Sequence, residues 1–332
     1  MKPENHPGLL SETFILQPKA ELHLHLEGSL QPETVCALAA THGVAVSAEE
    51  VERRYAYADF AGFIEAFKWV SSLLRDPADY ALALRHLGEQ LLTHNVVYAQ
   101  ITLSVGVMQL RQQSVERNFE AIVAEAQVLA ARGLECNFIF DAVRQFGPDA
   151  AMRVVEAAQS CASKAIVAFG IGGDELSVAA SEFRDVYDRA GALGLHRLMH
   201  AGEIGGAKEI REAIELLGAE RIGHGIAAMH DPALMDLLAE KHIPLEICPA
   251  SNIKTGALAR QLGLAKADME QHPLPQLFRS GVPIVLSTDD PAMFHTTLRA
   301  EYENARRMGL REDELAKIAQ NGFKYSFRSP KT

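Results

Sequence analysis

Short β-branched or aliphatic runs recur along the chain, and each gives way to a stretch with apolar residues at three- and four-residue spacing. The runs fall at 20–26, 96–103, 135–142, 165–171, 195–200, 221–224, 243–247 and 283–287. Between them lie 116–131, 150–163, 177–192, 207–217 and 232–241, whose spacing predicts helices packed against a sheet. Strand and helix in alternation indicate βα units and a parallel sheet. Eight such strands match the parts of a (β/α)8 barrel. A doubly wound sheet shows the same alternation, but no Gly-rich phosphate loop follows the first strand.

One stretch breaks the rhythm. Residues 31–95 hold no strand pattern but several helical runs, and Phe60, Phe63, Ile64, Phe67 and Leu74 fall on one face at helical spacing. Such a stripe ordinarily means core packing. An insertion after the first strand emerges at the C-terminal face of a barrel, however, so Phe63 and Phe67 are candidates to roof a pocket there. The expectation is one barrel domain over 1–332 with this helical segment as its lid.

Composition mainly excludes. The chain has 332 residues, 48% of them apolar, enough for a large core and for either two domains or one barrel with an insertion. The net charge of −11 is spread along the chain, which disfavours nucleic acid as a partner. No apolar stretch reaches the roughly 20 residues of a membrane span. The first residues, MKPENHPGLLSETFILQP, do not read as a cleaved signal. Cys36, Cys136, Cys161 and Cys248 are far apart with no CxxC pair, as in a reduced, cytoplasmic protein.

Ligand-capable residues cluster at the ends of the strands. His23 and His25, in ELHLHLEG, are two apart on strand one and project from one face. Two neutral imidazoles on a rigid element suit a metal, although an HxH pair alone is common. Strand five ends in MHAGE with His200 and Glu203, and strand six in GHG with His224. Strand eight ends in STDDP with Asp289 and Asp290. All C-terminal strand ends of a barrel share one face, so positions as far apart in sequence as 23 and 289 meet there.

His23, His25, His200 and Asp289 make a nitrogen and oxygen donor set with room for a bound water, suited to one Zn²⁺. Such an ion lowers the pKa of a bound water to about 7. Glu203 and His224 are then left to move or orient protons. The alternative is a two-metal site bridged by a modified lysine near the end of strand four. The nearest lysine, Lys164, precedes that strand, which points to a single ion.

ELHLHLEGS, GGDE, HAGE, GHG, CPASN-x-x-TGA and STDDP, in this order and spacing from about residue 19 to 325, resemble the adenosine deaminase family of the amidohydrolase superfamily. The resemblance implies a (β/α)8 barrel, with His23, His25, His200 and Asp289 as ligands of one zinc ion. It implies that Glu203 protonates N1 of a 6-aminopurine while water attacks C6, and that His224 orients the attacking oxygen. Asp290 would meet the leaving side or N7, and Gly173 would offer its N–H to N3. Ammonia leaves and a 6-oxopurine remains.

Two departures bear on the substrate. Animal members carry HxHLDG, in which the aspartate contacts the ribose, whereas this chain has Glu27 at that place. YAQITLSVGV and FDAVRQFG are similar to bacterial members that deaminate 6-aminodeoxyfutalosine, an adenine nucleoside with a carboxyphenyl tail, in menaquinone synthesis. Arg144, just after strand three, is a candidate partner for that carboxylate. The expected substrate is therefore 6-aminodeoxyfutalosine, with adenosine, then adenine, then a non-catalytic purine-binding barrel as alternatives. His295, close behind STDDP, is the one further histidine near the expected site.

Overall fold

A computed structural model describes residues 10–328; residues 1–9, on which part of the signal-segment reading falls, and 329–332 lie outside the described residues. Eight parallel strands follow one another round the sheet in chain order: β1 Lys19–His25, β2 Val96–Leu103, β3 Glu135–Val143, β4 Ile166–Gly172, β5 His196–Ala201, β6 Arg221–His224, β7 Leu245–Ile247 and β8 Ile284–Leu286. The ring closes between β8 and β1, where the His25 amide donates to the Asp289 carbonyl at 2.8 Å and the Asp289 amide to the His23 carbonyl at 3.0 Å. This is the expected (β/α)8 barrel. With side chains inside the barrel and helices outside, β1 is buried at every position, although its sequence, KAELHLH, alternates apolar and polar residues.

A bulge in β1 sets the site. Glu21 pairs with Ala99 and Leu24 with Ile101, so β1 spends one residue more than β2 over the same span. The amides of both Leu22 and His23 consequently face the Ser287 hydroxyl, at 3.4 and 3.2 Å. Below the bulge, Ala20 and Leu22 pack with Tyr98 and Val285; above it, His23 and His25 reach the C-terminal end.

The insertion is helical, as expected: Pro32–Thr41, Ala48–Tyr55, Phe60–Ser71 and Pro77–Thr93 follow a short turn at Glu27–Ser29. Asp59 caps the third of these by accepting from the Gly62 amide at 2.9 Å. Asp76 and Asp79 form a reciprocal capping box on the fourth, with Pro77 in its first turn. Leu74 lies beyond the end of Phe60–Ser71, so it enters the core from the following turn and not as part of the aromatic stripe. The predicted helix over 177–192 is divided into a short turn, Ala180–Phe183, and Arg184–Ala192. Three helices after β7, Pro249–Lys254, Ala257–Leu262 and Leu274–Arg279, add a layer beside the site. All four cysteines are free, and among the described residues no helix is long and apolar enough to cross a membrane.

Candidate active site

Four strand ends converge on one point. One ligand atom each from His23, His200, His224 and Asp289 lies within 4.8 Å of the others, a group that holds His224 where His25 was the expected fourth ligand. The Nε2 atoms of His23 and His25 approach Asp289 Oδ1 to 3.5 and 3.4 Å. His224 Nε2 stands 3.7 Å from Asp289 Oδ2 and 3.6 Å from Glu203 Oε2. His224 and Asp289 hold left-handed backbone conformations, with φ of 60° and 64°. Such strain in non-glycine residues persists where the surroundings over-determine it. Small neighbours make the crowding possible: a Cβ on Gly223 would lie 2.9 Å from His23 Cε1, and one on Gly172 would lie 3.2 Å from His200 Cε1.

The donor chemistry fits a cation. His23 directs Nδ1 at the Glu246 carboxylate at 2.8 Å, and a carboxylate only accepts, so the ring carries its proton there and Nε2 offers a lone pair. That Nε2 is buried and has no hydrogen-bond partner. His200 likewise turns Nδ1 to the Ile171 carbonyl at 3.2 Å, which frees its Nε2. Burial pushes the pKa of His25 and of His200 down to about 3, so both rings are neutral donors. Burial works against charge on His23 too, yet the neighbouring carboxylates of Asp289 and Glu246 raise its pKa to about 10, so this point favours a positive charge. Burial would likewise raise Asp289, but His23 and the surrounding imidazoles hold it well below the usual range. The centre attracts positive charge and presents bare nitrogens to it, as a metal site must.

Glu203 is the opposite case. Burial, then the charges of Asp289 and Glu175, push its pKa well above the ordinary carboxyl range. Thr255 Oγ1 stands 3.4 Å from its Oε1. Asp290 is also pushed well up by burial and by Asp289, and its Oδ1 is buried without a hydrogen-bond partner. It lies against Gly28, where any Cβ would overlap that oxygen.

A cavity of about 160 Å³ opens above this cluster. His25, His200, Glu203, His224, Asp289 and Asp290 form its base, and Gly173 (φ 103°) stands on its wall. Phe60, Phe63, Ile64 and Phe67 form the opposite side, so the aromatic stripe does face the pocket. Phe63 also stacks on Phe294 at 5.1 Å. Lys68 is the one lysine or arginine among the described residues on the lining.

Other expected residues are elsewhere. Arg144 is buried with its guanidinium turned away, donating to the Val178 carbonyl at 2.7 Å and to Glu209 at 2.6 Å. A buried arginine goes to the carboxylate that neutralises it, and that partner lies outside the lining. Glu27 accepts from the Ser104 amide at 3.0 Å behind the wall, where burial raises its pKa to about 7. His295 is half-exposed beside Glu52, at 3.8 Å. Lys164 precedes β4, in a separate cleft of about 470 Å³ near the strand starts.

Several supporting residues escaped the sequence reading. Glu246 on β7 bridges His23 and Arg221, whose Nε lies 2.6 Å from its Oε1 as an ionic contact and not an aligned hydrogen bond. Glu175 accepts the amides of Glu203, Ile204 and Gly205 at 3.0, 3.1 and 2.5 Å, fixing the loop that carries the acid. Asn252 Nδ2 meets His224 Nδ1 at 3.1 Å. Asp141 lines the cavity, and burial raises its pKa to about 8. A charged residue inside the aliphatic run IPLEIC, and the acid of GGDE, were the readable signals for Glu246 and Glu175.

This geometry agrees with the comparisons. A model of the family described as Adenosine deaminase matches residues 18–332. The chain belongs to the adenosine deaminase family. As a member it is a hydrolytic deaminase acting on C–N bonds, with the metal-dependent amidohydrolase fold. It is 37% identical over 318 residues to an aminodeoxyfutalosine deaminase of Streptomyces coelicolor, covering 93% of this chain and 80% of that one. An adenine deaminase of Rhizobium meliloti is 31% identical over 311 residues, covering 93% and 94%. The crystal structure of an adenine deaminase from Arthrobacter aurescens superposes with a TM-score of 0.87 at 29% identity, covering 94% of each chain.

Proposed function

We propose that this family member replaces the 6-amino group of an adenine nucleoside by oxygen, using one zinc ion held by His23, His25, His200 and Asp289. The observation that carries the reading is the buried Glu203, whose carboxyl is pushed by burial towards the protonated form, facing His224 at 3.6 Å beside the unpartnered Nε2 of His23. Zinc there would supply the Lewis acidity that makes water a nucleophile near neutral pH. Glu203 gives its proton to N1 of the purine, drawing electrons from C6. His224 Nε2, between Glu203 and Asp289, orients the attacking oxygen. Asp290, on the cavity lining, holds N7, and the Gly173 amide meets N3. A C6–O bond forms, the C6–N bond breaks, and the amino group leaves as ammonia.

The substrate we favour is 6-aminodeoxyfutalosine, which places the chain in menaquinone synthesis. The Streptomyces relative supports this, as does a wall of Phe60, Phe63, Ile64, Phe67 and Phe146 that runs to Lys68 at the rim. An apolar wall ending in a cation suits an aryl carboxylate tail. Lys68 thus takes the part first expected of Arg144. The adenine deaminase relatives support adenine as the second reading. Side-by-side kcat/KM values for 6-aminodeoxyfutalosine, adenosine, methylthioadenosine and adenine test the choice. The first is expected to be highest by tenfold or more (about 1.4 kcal/mol). A higher value for any other compound overturns it.

A further inference from the structure

His224 is bound from behind by a chain of hydrogen bonds whose direction is fixed at its far end. The Leu274 amide points at His272 Nδ1 at 3.1 Å. A backbone N–H only donates, so His272 Nδ1 accepts and the neutral ring carries its proton on Nε2. Burial keeps this ring neutral, with its pKa pushed down to about 3. His272 Nε2 stands 3.2 Å from Asn252 Oδ1 and donates to it. That contact fixes which way the amide faces, so Asn252 Nδ2 donates to His224 Nδ1 at 3.1 Å. With its Nδ1 lone pair occupied, the neutral His224 ring must carry its proton on Nε2, towards Glu203 and Asp289. His23 and His200 are set the other way, each giving the Nδ1 proton to an oxygen.

We propose that Leu274, His272 and Asn252 are positioning residues that set the tautomer of His224, making its Nε2 a proton donor at the cavity while His23 and His200 present lone pairs. Four imidazoles, those of His23, His25, His200 and His224, meet in a small volume, and neighbouring oxygens or amides set which nitrogen three of them turn to the cavity. Asn252 and His272 are fully buried, so water does not compete for these bonds. The three partners lie on or beside the helices that follow β7, Pro249–Lys254 and Leu274–Arg279, which gives this added layer a task in the chemistry. The proposal rests on the role given to His224 above.

Asn252→Asp is the sharpest test. A carboxylate accepts and does not donate, so the Nδ1 proton becomes favourable and Nε2 is left bare. Imidazole 15N spectra of the zinc-loaded protein should report His224 protonated on Nε2 in the wild type and on Nδ1 in the variant. Turnover should fall by at least about 100-fold, as expected for a histidine held in the wrong tautomer, with KM and zinc content little changed. His272→Phe keeps the ring volume but removes the donor; it should mix the two tautomers and lower kcat about tenfold. It carries the same test should Asn252→Asp not fold. A wild-type His224 protonated on Nδ1, or variants with the wild-type tautomer, overturns the proposal. A wild type with the Nε2 proton but no deaminase activity supports the chain and overturns the functional reading instead.

Discussion

The Oε2 of Glu246 lies 2.8 Å from Nδ1 of His23, and both groups are buried. This contact fixes which nitrogen of His23 faces the site. Replacing Glu246 by Gln keeps the shape but exchanges a charged acceptor for a neutral amide. Zinc affinity, measured by competition with a chelating dye, should fall about 10- to 100-fold, the usual cost of losing such a partner. Unchanged affinity would separate His23 from the metal.

Arg221 neutralises Glu246 from below, at 2.6 Å, with its guanidinium 3.8 Å over the Phe327 ring. Arg221→Met leaves a buried carboxylate without its cation. Destabilisation of about 3–5 kcal/mol is expected in denaturant melts. A loss below about 1 kcal/mol would mean that the pair is dispensable.

The pattern of short strands and amphipathic helices made the barrel legible, and barrel geometry then made the cluster legible, because strand ends must converge. What stayed hidden depends on where side chains turn. Arg144 follows β3 directly, and nothing in its neighbourhood along the chain says that it turns to Glu209, 65 positions further on. Asn252 lay inside a recognised motif, but its effect on His224 depends on His272, which no motif includes. The bulge in β1 leaves His23 and His25 two apart, so it was invisible to periodicity.

Gly28 is required by contact and not by turn geometry. A Cβ there would occupy the place of Asp290 Oδ1, so Gly28→Ala must displace that carboxyl. A displacement near 1 Å costs about 100-fold in rate when the group orients substrate. The check is kcat/KM beside a zinc determination: activity should drop while zinc content stays the same. Wild-type kinetics would remove Asp290 from the substrate's contacts.

Lys68 is exposed and paired with Glu65 at 2.8 Å, so its contribution to binding an anionic tail is modest. Lys68→Met should raise KM for 6-aminodeoxyfutalosine about three- to tenfold, an effect that shrinks with added salt, and leave adenine unaffected. An equal change for both substrates would place the tail elsewhere.

The central claim is that Glu203 is the acid of a zinc deaminase. Glu203→Gln removes the proton and keeps the side chain's size. Hydrolysis of the preferred adenine nucleoside, followed as loss of absorbance near 265 nm, should slow by about 100- to 10,000-fold, the range for a general acid, at undiminished zinc content. Near-normal turnover in that variant would contradict the account.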